Sequence, residues 1–172
     1  MQLTERLQIE PLELRHAAEL HAVLSDPEIY RFIPQDPPSL GQLERRYLYL
    51  ERRTSPDGTV QWLNWALRLR ETGNLIGTIQ ATIMADKAAM IAYELGPDYW
   101  GQGYATEALK WLLDSWTESG EVHSARAYVD TRNKASIRLL ERLGFERVDA
   151  TKDADFFKGE SSDEYVYHRS IR

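Results

Sequence analysis

Residues 98–109 read Asp-Tyr-Trp-Gly-Gln-Gly-Tyr-Ala-Thr-Glu-Ala-Leu, DYWGQGYATEAL. Two glycines bracket a glutamine, aromatic residues stand outside them, and a run of helix formers follows. Gly101 and Gly103 admit backbone angles closed to other residues and let another molecule approach the main chain. The first turn of the following helix presents N–H groups with no acceptor inside the helix, and the helix dipole adds positive partial charge there. Such a junction is an anion site suited to a pyrophosphate, with no lysine required. Taken alone, the stretch reads more readily as a turn that holds nothing, since glycines punctuate loops everywhere.

The chain around it reads as a mixed α/β order. Arg6–Leu12 alternates like a half-buried strand, and Glu13–Leu24 carries a helical stripe of Leu14, Ala17/Ala18, His21 and Leu24. Asp26-Pro27 stops that helix. Ile33–Pro38 is a proline-rich loop, and Ser39 is a natural N-cap for a helix through Leu43, Tyr47 and Leu50. Strands are expected at 61–70, 75–84 and 88–95, forming an antiparallel meander. A helix is expected from Ala105 to about Ser119, a strand at 124–129, a helix at 134–143, and strands at 145–150 and 164–170. This is not the regular alternation of a doubly wound sheet, and the GxG lacks the third glycine of a dinucleotide fingerprint.

Composition narrows the function. The 172 residues carry 27 acidic and 21 basic side chains, a net charge of -6, which argues against a nucleic-acid backbone as partner. There is no cysteine, which excludes a thiolate zinc site, a disulfide scaffold and a cysteine nucleophile. The four histidines are scattered, His16 and His21 lying five apart, so no metal site is expected. No stretch has the length of a membrane span and the N-terminus carries charges throughout, so one domain over 1–172, at work in the cytoplasm and away from membranes, is expected.

A second element gives the glycine turn its context. Asn133-Lys-Ala-Ser-Ile-Arg-Leu-Leu-Glu-Arg-Leu-Gly-Phe145 is a helix with Asn133 as N-cap and Gly144 as its closing residue. Local physics alone asks for nothing more than a capped helix packed through Ile137 and Leu140. Together, Trp100-Gly-Gln-Gly-Tyr-Ala105 and Asn133…Ser136…Gly144-Phe145 resemble the GNAT superfamily of acyl-CoA-dependent N-acyltransferases, whose pattern is Gln/Arg-x-x-Gly-x-Gly/Ala. Thr4-Glu-Arg-Leu7, Ser25-Asp-Pro-Glu28 and Glu94–Ala108 look like its Rim-type branch, related to ribosomal-protein N-terminal acetyltransferases. The resemblance spans essentially the whole chain.

That resemblance implies a central, mostly antiparallel mixed sheet of about seven strands, flanked by helices and splayed at the cofactor cleft near Leu95 and Tyr128. It implies that the backbone of Gly101, Gln102, Gly103, Tyr104 and Ala105 binds the pyrophosphate of acetyl-CoA as cosubstrate. Main-chain groups near Leu95 would pair with the pantetheine amides, and Asn133 would reach the pantetheine arm. Two departures stand out. Trp100 replaces the Gln or Arg and loses a polar contact. Leu140 stands where many relatives carry a tyrosine that protonates the leaving thiolate, and Ser136 is the replacement candidate. A serine there also reads as a helix-start residue bonding the backbone.

Acetyl transfer to an amine needs a base, a stabilised oxyanion and an outlet for thiolate. Glu94, one residue before Leu95, is the first candidate base; Asp163, Glu164, Tyr165, Tyr167 and His168 are second choices. Phe32–Pro38 and the helix after it are expected to wall the acceptor pocket. Glu107, whose charge would oppose a phosphate, reads as structural. The expected reaction is direct attack by a primary amine, a protein N-terminus or a small molecule, in a ternary complex formed by a monomer or homodimer. The alternative is a non-catalytic acyl-CoA-binding sensor.

Overall fold

Alternation of apolar and polar residues builds the centre of the protein. In Leu75–Ile83 (β4), Ile79, Ala81 and Ile83 are buried while Thr78, Gln80 and Thr82 between them are half-buried on the other face. The computed structural model describes residues 1–172. Its other strands are Gln2–Leu3 (β1), Leu7–Pro11 (β2), Gln61–Leu69 (β3), Ala88–Leu95 (β5), Ser124–Asp130 (β6), Glu146–Phe157 (β7) and Glu160–Ser170 (β8). The helices are Ala17–Leu24 (α1), Leu40–Leu50 (α2), Tyr104–Ser119 (α3) and Lys134–Arg142 (α4).

These strands form one open sheet in the order β1-β2-β3-β4-β5-β6-β8-β7. Every neighbouring pair is antiparallel except β5 and β6, which run parallel. The expected mixed, mostly antiparallel sheet is therefore present, with eight strands where about seven were expected. The additional strand is the two-residue β1, too short to show any pattern.

Each face of the sheet has its own helical cover. Leu109, Leu112, Leu113 and Trp116 recur at helical spacing along α3 and join Leu140 and Leu143 against Ile76, Ile79, Ile91 and Val129. On the other face Leu20 and Leu24 of α1 and Leu43 and Tyr47 of α2 pack on Ala66 and Leu75. Fully burying a leucine or isoleucine contributes about 1.5–3 kcal/mol, so the two clusters hold the sheet's centre firmly. Ser39 caps α2 in a reciprocal box with Gln42, as expected.

The expected helix over 13–24 is corrected at its start. Leu14–His16 is a 3₁₀ turn and the α-helix begins at Ala17. The buried stripe is His16, Ala17, Leu20 and Leu24, while Leu14 is exposed. The cause is electrostatic. His16 Nδ1 accepts from the Glu13 N–H at 3.0 Å, so its Nε2–H donates to Glu10 Oε2 at 3.0 Å. Glu10, a strand residue only 5% exposed, also accepts from Arg68 Nε at 2.6 Å.

Burial pushes the Glu10 carboxyl up, but hydrogen bonds from Arg68 and His16 outweigh it and bring it down to about 2. The folded state thus holds the ionised form more tightly than the unfolded chain does. This stabilisation, about 2–3 kcal/mol, is complete above pH ~4.5 and is lost as pH falls toward 2. Glu10→Gln is accordingly expected to lower the thermal midpoint at pH 7 by several degrees and to flatten its acid dependence between pH 5 and 2, as followed by circular dichroism. An unchanged midpoint across that range would refute the assignment.

Candidate active site

The sheet opens at one place. β5 and β6 are in register only from Ala88/Ser124 to Met90/Arg126. Beyond that point β5 stays paired with β4 as far as Leu95/Gly77, and β6 stays paired with β8 as far as Asp130/Glu164. Each strand keeps its other neighbour, so a wedge opens between them. The Gly96 N–H donates to Ile76 O on β4 at 2.9 Å. By strand alternation the peptide groups of Tyr93 and Leu95 face the wedge. Their side chains lie on the α3–α4 face, and Glu94 lies on the opposite one.

The open end of the wedge depends on Gly77, which sequence reasoning did not single out. A Cβ on Gly77 would lie 2.1 Å from the Glu94 carbonyl oxygen, and its φ is +156°. Only glycine allows β4 to follow β5 this closely at the end of the opening.

At the mouth stands the glycine turn. Gly101 and Gly103 have φ of +71° and +84° and α3 starts at Tyr104. The N–H groups from Gly101 through Thr106 find no acceptor in the protein, and the first closed bond is Glu107 N–H to Gly103 O at 3.0 Å. Six consecutive donors converge here with the positive end of a 16-residue helix. Trp100 recovers a polar contact, since its Nε1–H donates to Leu95 O at 2.8 Å. That bond engages the Leu95 carbonyl, while the Leu95 N–H remains directed toward the wedge. Gln102 is likewise held, its Nε2 donating to Asp98 O at 2.7 Å.

Glu107 faces away from these donors. Its carboxylate accepts from Thr4 Oγ1 at 2.6 Å, the Arg6 N–H at 2.8 Å and Arg6 Nε at 2.7 Å. Burial raises its proton affinity, but these bonds prevail and hold it below the usual carboxylate range. Arg6 Nη1 also donates to Gln102 O at 2.8 Å, and its guanidinium stacks 4.4 Å from the centre of the Tyr104 ring. Thr4 and Arg6, each more than a hundred residues from Glu107 in the chain, form with it one clamp behind the turn. Sequence reasoning noticed both segments without the pairing between them.

Across the wedge, Asn133 caps α4 by accepting the Ser136 N–H on its side-chain oxygen at 3.1 Å, which leaves its amide NH₂ free. Ser136 sits in the first turn of α4, its backbone N–H taken up by that cap. Leu140 is buried. The turn into α4 is tied down by Asp130, which accepts from Arg132 Nε and Nη2 at 2.9 and 2.7 Å and from Ser162 Oγ at 2.7 Å. Burial would raise the Asp130 carboxyl, yet these donors carry it below its ordinary value.

On the opposite face Glu94 lines a small chamber under α2 with Asn64, Thr78, Gln80, Arg46, Tyr47 and Tyr30. Leu12, Pro38, Leu43 and Leu50 complete the wall, so the end of the 32–38 loop and the helix after it close this side. The loop is pinned by Lys158, whose Nζ donates to Ile33 O at 2.7 Å and Gln35 O at 2.9 Å from the β7–β8 turn. Burial pushes the Glu94 carboxyl above its ordinary range, opposed by Arg46. Tyr30 is pushed up to about 12 by burial and by the Glu94 charge.

The second-choice bases divide. Tyr167 is buried and donates to Glu141 Oε1 at 2.9 Å, while Asp163 Oδ1 accepts the Asp153 N–H at 2.9 Å within the β7–β8 hairpin. Tyr165 packs on the α3–α4 side, with Arg147 4.5 Å from its ring centre. Glu164 is raised by burial and by Asp155. By alternation Glu164 and His168 lie on the Glu94 face of the sheet, but neither lines its chamber.

Residues 6–146 match a family described as "Acetyltransferase (GNAT) domain". Among curated proteins the chain is 30% identical over 166 residues to the uncharacterized N-acetyltransferase p20 of Bacillus licheniformis, covering 95% of this chain and 92% of that protein. Its structure resembles RimL, a ribosomal L7/L12 α-N-protein acetyltransferase solved with coenzyme A, with a TM-score of 0.85 and 21% identity over 99% of this chain and 97% of the other. It also resembles spermidine N-acetyltransferase from Vibrio cholerae in complex with CoA and spermine, with a TM-score of 0.81 and 18% identity over 98% and 97%.

Proposed function

Because the chain belongs to the GNAT acetyltransferase family and is an N-acetyltransferase, we propose that it transfers the acetyl group of acetyl-CoA to a primary amine by direct attack within the β5–β6 wedge. The observation that carries this reading is the arrangement around one opening. Six unpaired N–H groups stand at its mouth and free strand peptides lie along it, while a carboxylate with raised proton affinity sits on the opposite face.

In this reading Gly101, Gln102, Gly103, Tyr104 and Ala105 hold the pyrophosphate through backbone N–H groups. The pantetheine arm runs up the wedge past the peptide groups of Tyr93 and the Leu95 N–H, with the Asn133 amide as a further donor. These contacts place the thioester carbon above the chamber on the far face. Glu94 removes the proton that the attacking ammonium or tetrahedral adduct must lose, and Ser136 stands on the side where sulfur departs. Acid–base work is thus divided between the two faces of the sheet, so amine and coenzyme enter from opposite sides without a covalent acyl-enzyme.

The acceptor is a protein N-terminus or a small-molecule amine. The two solved relatives, one named for a ribosomal protein and one for spermidine, show that this fold serves both classes. Calorimetry with acetyl-CoA, followed by thiol release across a panel of peptide N-termini and polyamines, tests the proposal. Binding with amine-dependent release of free CoA is the expected result. Binding without turnover on any amine would favour a sensor, and absence of binding would overturn both.

A further inference from the structure

The Tyr93 hydroxyl is the single buried side-chain polar atom in the protein without a hydrogen-bond partner. Folded proteins pair nearly all such groups, because a hydroxyl removed from water and left unpaired costs stability. Its position in the fold is specific. Tyr93 lies on β5 three residues beyond Met90, the last residue in register with β6, and its side chain packs on the α3–α4 side. Ser136, in the first turn of α4, acts on this hydroxyl and holds the phenol down against burial, yet the pair forms no hydrogen bond of normal geometry. The two hydroxyls come from opposite walls of the wedge, one from the strand and one from the helix. Neither is used by the fold.

We propose that Tyr93 is a catalytic hydrogen-bond donor to the thioester sulfur as it departs, and that Ser136 positions the Tyr93 hydroxyl. This rests on the acetyl-CoA reading above. As the amine nitrogen bonds to the acetyl carbon, the C–S bond breaks and its electron pair goes to sulfur. The proton released by nitrogen passes to Glu94 and then to solvent, and the CoA thiolate takes a proton from solvent after leaving. Tyr93 lowers the cost of the charge on sulfur without surrendering its own proton. Burial pushes the phenol up to about 12, opposed by Ser136, so Tyr93 remains a neutral donor throughout the working range. Leu140 has no donor to offer, and the strand wall supplies one in its place.

The fold and the reaction make opposite demands on this hydroxyl, which makes the assignment testable. Tyr93→Phe removes a group the fold leaves unsatisfied, so the thermal midpoint should hold or rise by a few degrees. The same change should lower kcat about 10²-fold, the usual effect of losing one preorganised donor, with the Kd for CoA unchanged by calorimetry. Ser136→Ala should lower kcat less, and the double variant should be no slower than Tyr93→Phe alone. A kcat within twofold of wild type would overturn the proposal, as would a loss of kcat that tracks a fall in thermal midpoint. Losses that multiply in the double variant would overturn the positioning role of Ser136. Wild-type binding of CoA, measured first, tests the underlying reading separately. No binding removes that reading, whereas binding with an undiminished Tyr93→Phe rate removes only this assignment.

Discussion

Glu94→Gln is expected to lower the amine-dependent rate of acetyl transfer about 10²–10³-fold while leaving the affinity for acetyl-CoA within twofold of wild type. The separation follows from the sheet. Glu94 projects into the chamber under α2, away from the α3–α4 face where the glycine turn and Asn133 lie, so glutamine preserves the shape and disturbs no coenzyme contact. Only the capacity to take a proton is lost. The base works ionised, and burial holds the Glu94 carboxyl above its ordinary range against the pull of Arg46. The wild-type rate should therefore fall as pH decreases through a midpoint above that of an exposed glutamate, and the limb should vanish in the glutamine variant. Stability moves the other way. An acid whose folded pKa is raised loses stability on ionising, so the glutamine variant should be at least as stable at pH 7. Stopped assays of thiol release from pH 5 to 9 read the rate and its acid limb, thermal melts read the stability, and a normal rate at every pH would remove Glu94 as the base.

Gly103→Val is expected to weaken CoA binding by 10²-fold or more while the far-UV circular dichroism remains that of the wild type. Two effects combine at this residue. Its φ of +84° is left-handed, a conformation in which a β-branched side chain costs on the order of 1–2 kcal/mol. A Cβ there also comes within 3.3 Å of Arg6 Nη2, the guanidinium that stacks on Tyr104 and holds the Gln102 carbonyl. Valine forces either the turn or the clamp to move, and the convergence of the six N–H groups depends on both. The hydrophobic face of α3 lies beyond the turn and is untouched, so the fold survives. Gly103→Asp adds a negative charge against the phosphates and should be worse still. Calorimetric titration with CoA is the measurement, and unchanged affinity in both variants would refute the placement of the pyrophosphate.

Much of this architecture was written in local patterns. The strand over 88–95, the Ser39 cap, the Asn133 cap and the apolar stripe of α3 are short-range features, and each appears where the residues indicated. Where local patterns fell short, a contact distant in sequence had overruled them. The first turn of the 13–24 segment is drawn into a 3₁₀ turn by His16 reaching back to Glu10. β7 runs to Phe157 instead of ending near Ala150, because it is an edge strand exposed nearly throughout and buries too little to impose alternation on residues such as Thr151, Lys152 and Asp153.

The candidate site divides along the same line. Gly101 and Gly103 announce a backbone conformation, and Asn133 announces a cap, because both depend on a few neighbouring residues. Glu94 and Tyr93 are adjacent in the chain and occupy opposite faces of β5; the sheet decides that one enters a polar chamber and that the hydroxyl of the other is buried unpaired on the α3–α4 side. The engagement of Thr4 and Arg6 with Glu107, the capture of the Leu95 carbonyl by Trp100, and the close approach that requires Gly77 are likewise tertiary facts. By itself the sequence determined the elements, the anion-binding turn and the kinship. Only the folded sheet decided which groups remain free to act, because a donor or a charge is available for chemistry only where distant partners leave it unpaired.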